Sequence, residues 1–124
     1  MNNFRPQFFL VCANNRENEM IRDLNYLGVQ WKEVEGCYKG VPERSFLIVG
    51  DAEGHVLEFA SKYSQESYLF VEADTRVAWL VYHADGRRIR LGRFEECTEA
   101  EAKRQDAYTS DPSTKTFYVA GGKK

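Results

Sequence analysis

A phenol and a carboxylate, Tyr38 and Glu43, flank the Gly40-Val41-Pro42 turn in the segment running from Glu35 to Phe46. A Gly/Pro turn between two strand-like runs reverses the chain, so both side chains are held near one edge of a sheet, with Ser45 two residues further on. A phenol there can hydrogen-bond or stack, and a carboxylate can complement a cation. The plainer alternative is a turn bracketed by a polar gatekeeper pair. A second candidate is Gln65-Glu66, set between a helix end and an apolar strand; the alternative there is an ordinary helix C-terminal loop. A third is Ala13-Asn14-Asn15-Arg16, which follows the first apolar run. Backbone amides at such a strand-to-helix turn suit a carboxylate, or Asn15 simply caps the helix.

Several other chemistries lack their parts. No GxGxxG, Walker loop, GxSxG or HExxH occurs. His55 and His83 lie far apart among surface-type neighbours, and Cys12, Cys37 and Cys97 make an odd count without CxxC spacing. A zinc knuckle and a regular disulfide framework are both disfavoured, and we expect neither metal nor cofactor. The net charge of −2 gives none of the concentrated basic surface that nucleic-acid binders carry. With no apolar leader and no run of about 18 apolar residues, a cytoplasmic location without membrane contact is expected. Aromatic residues reach 14 %, which suits a core, an oligomer interface or the stacking of a purine or cation.

The elements that must position the candidates are read from periodicity. The run Gln7–Ala13 is a buried strand. Met20, Ile21, Leu24 and Leu27 recur at helical spacing, with Gly28 placed to end the helix. Gln30 to Lys39 and Arg44 to Gly50 read as strands, Val56 to about Ser64 as a helix, and Tyr68–Val71 as a strand. Val77–Tyr82 and Arg88–Leu91 form a hairpin around Asp85-Gly86. Thr98-Glu99-Ala100-Glu101 opens like a capping box, Phe117–Val119 is a last strand, and the residues from Gly121 onward form a frayed tail. The chain of 124 residues fits a single domain, with its core at about 7–97. The order β-α-β-β-α-β implies an α+β fold of the ferredoxin-like kind, an antiparallel sheet with two helices on one face and a C-terminal hairpin and strand added. The other face would then be uncovered, with tyrosines and Trp31 or Trp79 exposed, and a symmetric homo-oligomer would cover it.

In order and spacing these segments resemble the phage-encoded enzymes that degrade S-adenosylmethionine (AdoMet), which are best described as lyases. The resemblance runs from the strand Phe8–Ala13 and the loop Arg16–Asn18 through Gly36-Cys37-Tyr38, Glu43 and Gln65-Glu66. It continues into Ala78–Tyr82 and the segment Leu91–Glu96. The loop between Tyr38 and Glu43 is tighter than the family's. The resemblance implies intramolecular cleavage of AdoMet to 5′-methylthioadenosine and homoserine lactone by a homotrimer with sites between subunits. It further implies Tyr38 and Glu43 as the catalytic pair, with Ala13, Asn14, Arg16, Ser45, Gln65 and Glu66 contacting substrate. Two rivals remain at this level: a nucleotide-binding regulatory trimer without catalysis, and a phage inhibitor that acts by protein contact.

Overall fold

Both faces of the first strand are apolar and buried, so the chain must supply a layer on each side of it. In β1 (Phe8–Cys12) the alternation puts Phe8 and Leu10 on one face and Phe9 and Val11 on the other, each less than a tenth exposed. The computed structural model describes residues 6–38, 40–105 and 107–121, with the backbone alone at Tyr38. The remaining elements are α1 (Glu17–Leu27), β2 (Gln30–Tyr38), β3 (Val41–Val49), α2 (Glu53–Lys62), β4 (Ser67–Val71), β5 (Val77–Tyr82), β6 (Arg88–Cys97), α3 (Glu99–Lys103), β7 (Ala107–Asp111) and β8 (Thr116–Ala120). The strands close into a barrel in the order β1-β3-β2-β7-β8-β6-β5-β4, and every neighbouring pair is antiparallel.

The layer outside β1 is helical. Met20 and Leu24 of α1 and Val56, Phe59 and Ala60 of α2 pack with Phe9, Val11, Phe46 and Ile48 in one buried cluster. Complete burial of side chains such as Met20 and Leu24 stabilises the fold by roughly 1.5–3 kcal/mol each. Gly28 ends α1 in the left-handed conformation at φ 73°, its N–H donating to the Leu24 carbonyl. Arg16, not Asn15, occupies the N-cap position of α1, and no side chain caps it. The short α3 does carry the expected capping box: Thr98 Oγ1 accepts from the Glu101 N–H at 3.1 Å, and the Glu101 carboxylate accepts from the Thr98 N–H at 2.9 Å.

The layer inside is the barrel's own far wall. Phe8, Leu10, Val34, Val71, Ala78 and Phe94 form a second buried cluster. Phe8 meets Phe94 edge-on at 5.3 Å, and Phe94 stacks on Tyr118 at 5.1 Å. Lys32 and Asp111 form an ion pair between β2 and β7.

The expected open ferredoxin-like sheet is therefore wrong. The first six elements do follow the order β-α-β-β-α-β, but the two strands that would be edges both continue the sheet. β4 pairs with β5 and β2 pairs with β7, so pairing runs on until the barrel closes and removes every edge. β7, with the sequence Ala-Tyr-Thr-Ser-Asp, has no apolar run to announce it and was not expected at all. Closure also removes the uncovered face on which the oligomer was argued. Trp31 and Trp79 pack against the outer helical core, and their indole N–H groups donate to Asn25 and Glu72. Among the described residues no helix is long and apolar enough to cross a membrane.

Phe94 is the aromatic hinge of the inner cluster. Truncation by Phe94→Ala should cost about 3–5 kcal/mol, measured by guanidinium unfolding. A loss below about 1 kcal/mol would contradict a packed floor.

Candidate functional site

Cross-strand register sorts the inward side chains of β1, β3, β4 and β5 into layers. Phe8 lies beside Val49 and Val71, and Val71 beside Ala78, which makes the lowest layer. Leu10, Leu47, Leu69 and Leu80 make the next. Above them, the positions in register are Cys12, Ser45, Ser67 and Tyr82. An eight-stranded barrel has just enough interior for side chains or for one small ligand. Here the filling stops at the leucine layer, because the residues above it are mostly small. What remains is a cup of about 460 Å³, floored and walled by Leu10, Leu69, Leu80, Leu91, Phe94 and Tyr118. That volume is in the range of small-molecule sites.

Polar groups gather at the mouth. Glu43, Ser45, Gln65, Glu66, Ser67, Tyr82 and Thr109 all line the cup, and no lysine or arginine does among the described residues. Glu43 and Glu66 are exposed there, so the mouth carries two carboxylates and suits a cation. The Gln65 amide is anchored from behind, its N–H₂ donating to the Tyr63 carbonyl at 3.3 Å. Its backbone N–H donates to the Ala60 carbonyl at 2.8 Å, wrapping the end of α2 toward the cup. Ser45 is only 6 % exposed, and its hydroxyl lies 3.1 Å from the Cys12 sulfur. Across the β2–β3 pair stands Gly36, where a Cβ would come within 2.8 Å of the Ser45 oxygen. The missing side chain keeps that corner open.

The Cys12 thiol is pushed up to about 12, first by burial and then by the nearby charges of Glu43 and Glu17, against a lowering hydrogen bond from Ser45. It is a neutral thiol at any physiological pH.

Of the residues expected from sequence, the fold thus brings Glu43, Ser45, Gln65 and Glu66 to one cavity. Tyr38 is the last residue of β2, in register with Val41, and its side chain lies outside the described residues. Ala13, Asn14 and Arg16 do not line the cup. Ala13 is buried in the outer helical core, while Asn14 and Asn15 make the turn with φ of 53° and 69°. The amide of Asn15 does receive a carboxylate, that of Glu17 at 3.2 Å. Arg16 pins the two helices together. It donates two hydrogen bonds to Glu19 and one to the Lys62 carbonyl, and its guanidinium lies 4.7 Å from the Tyr63 ring centroid.

Cys12, Gly36, Leu69, Leu80, Tyr82 and Thr109 belong to the cup and were not expected from sequence. Alternation marks Leu69 and Leu80 as sharing faces with Ser67 and Tyr82, but only closure says that these faces point inward. Among the described residues no cluster of three His, Cys, Asp or Glu could hold a metal.

The fold and site define a small closed barrel whose lumen is a largely apolar cup with two carboxylates at its mouth. The model of the S-adenosylmethionine lyase family matches residues 4–120, and the chain belongs to that family. At the level of the family it is thus a lyase acting on AdoMet, a sulfonium cation. No individual curated protein matches the chain.

A thiol held near pKa 12 is ionised in roughly one molecule in ten thousand at pH 8. Cys12 should accordingly react with iodoacetamide at least about 100-fold more slowly than free cysteine, followed by peptide mass spectrometry. Labelling at the rate of free cysteine would show that the thiol is not held in this environment.

Proposed function

We propose that the cup takes AdoMet folded on itself and that the substrate's own carboxylate attacks its Cγ. An O–Cγ bond forms, the Cγ–S bond breaks, and the electron pair stays on sulfur. The products are homoserine lactone and neutral 5′-methylthioadenosine, with no water consumed and no proton transferred. The observation that carries this reading is the character of the lining: apolar below, carboxylates and hydroxyls at the mouth, and no described basic side chain. An apolar lumen favours a reaction in which an anion and a sulfonium cancel each other's charge. Holding the two ends of one molecule in attack geometry supplies much of the remaining acceleration.

The absence of arginine or lysine from the described lining is itself favourable in this scheme. A carboxylate clamped by a guanidinium would be a poorer nucleophile, whereas the hydroxyls of Ser67 and Tyr82 can orient it without neutralising it. Glu43 and Glu66 complement the positive part of the substrate, and Tyr38 and Gln65 orient it. A carboxylate pressed directly against the sulfonium would stabilise the ground state and slow cleavage. Glu43 at the mouth avoids this by guiding the cation without enclosing it.

We further infer that the chain works as a homotrimer in which a neighbouring subunit covers the mouth. The support is the resemblance, together with Val41, 65 % exposed beside the mouth on the β2–β3 hairpin.

Cleavage in heavy-oxygen water should leave freshly formed lactone unlabelled. Label in the alcohol oxygen of homoserine before any lactone is present would mean that water attacks Cγ. Binding of AdoMet without turnover would favour a regulatory protein instead. Glu43→Gln keeps shape and removes charge, and it should lower kcat/KM by about 10- to 100-fold. Tyr38→Phe should cost less, about three- to tenfold, as one neutral hydrogen bond does. Glu43→Gln within about threefold of the parent, with the fold intact, would remove Glu43 from the site.

A further inference from the structure

The reaction leaves unused a half-buried thiol that lines the cup, that of Cys12. Cys12 is the last residue of β1 and pairs with Ser45. Glu43, two residues before Ser45 on the same face of β3, therefore projects beyond the end of β1. The neighbour it meets on that side is the diagonal one, Cys12. The sulfur lies 3.1 Å from the buried Ser45 hydroxyl, and a Cβ at Gly36 on β2 would come within 2.8 Å of that hydroxyl.

Resting on the reading of the cup as an AdoMet site, we propose that Cys12 is a positioning residue for Glu43. The Ser45 hydroxyl donates to the Cys12 sulfur, and the Cys12 thiol donates to the Glu43 carboxylate, holding it at the mouth where the substrate's cationic end enters.

A thiol is an unusual choice beside a sulfonium, because a thiolate there would be alkylated by it. The environment removes that hazard. Burial, with Glu43 on β3 and Glu17 on α1 facing the group, keeps the proton on sulfur, so the thiol acts only as a donor. The same proton is the one that orients Glu43.

The test compares Cys12→Ala, Cys12→Ser, Glu43→Gln and the double variant Cys12→Ala/Glu43→Gln, with methylthioadenosine formation followed by chromatography. Cys12→Ala should lower kcat/KM about tenfold. Cys12→Ser, which restores a donor, should recover to within about threefold of the parent. In the Glu43→Gln background Cys12→Ala should add less than about twofold, because both changes break one contact. Equal impairment of Ala and Ser variants, or fully multiplicative losses in the double variant, would overturn the proposal.

A second readout needs no turnover. The infrared S–H stretching band that disappears in Cys12→Ala should move to higher frequency in Glu43→Gln, and an unmoved band would overturn the proposal whatever the kinetics. If the parent forms no methylthioadenosine while the band does move, the contact stands and the lyase reading fails, taking with it the role assigned to Cys12.

Discussion

The site depends on where the packing of the barrel interior stops. Phe8, Val49, Val71 and Ala78 fill one end, and Phe94 locks it by meeting both Phe8 and Tyr118. Four leucines form the next layer. Above them, small side chains at positions 12, 36, 45 and 67 leave the lumen empty. A barrel of this strand number cannot both pack its whole interior and admit a ligand. The chain divides the interior, packing one half and leaving a cup in the other. The helices make that division affordable, because α1 and α2 bury a separate apolar cluster outside β1 and β3 and relieve the lumen of carrying the whole core.

That division explains the kind of chemistry the cup can support. The described lining of the cup holds no histidine, lysine or arginine, and apart from its cysteine thiols its ionisable side chains are carboxylates and phenols. In the proposed reaction the substrate carries its own nucleophile and its own leaving group, so such a lining would suffice. The charges that are present stand at the mouth, where Glu43 and Glu66 can attract a sulfonium without surrounding it. Arg16, the first basic residue after β1, is engaged with Glu19 and the end of α2, away from the lumen.

Local signals in the sequence were legible where one element suffices to generate them. The helical spacing of Met20, Ile21, Leu24 and Leu27, the stop at Gly28 and the box at Thr98-Glu101 all appear in the structure. Closure was not legible, because it is decided by strands that pair far apart in sequence. Tyr38 in β2 pairs with Ala107, and nothing in Ala-Tyr-Thr-Ser-Asp marks a strand that completes a wall. For the same reason the ordered candidates split. Glu43, Ser45, Gln65 and Glu66 converge because β3 and β4 both pair with β1, which sets the start of β4 and the Glu43–Ser45 stretch of β3 on either side of the end of β1. Ala13, Asn14 and Arg16 share that end of the barrel but turn outward into the helices. Thr109 and Tyr82, which complete the mouth, carry no chemical motif that sequence could single out.

The central claim is that AdoMet reacts inside the barrel lumen, and filling the lumen tests it most directly. Thr109 lines the cup from β7 and is half-buried, so Thr109→Trp places an indole into the space without removing any core side chain. Methylthioadenosine release should fall by more than about 100-fold, while circular dichroism and the thermal midpoint stay close to the parent's. Release within about twofold of the parent by a folded Thr109→Trp protein would place the reaction outside the cup and contradict the account.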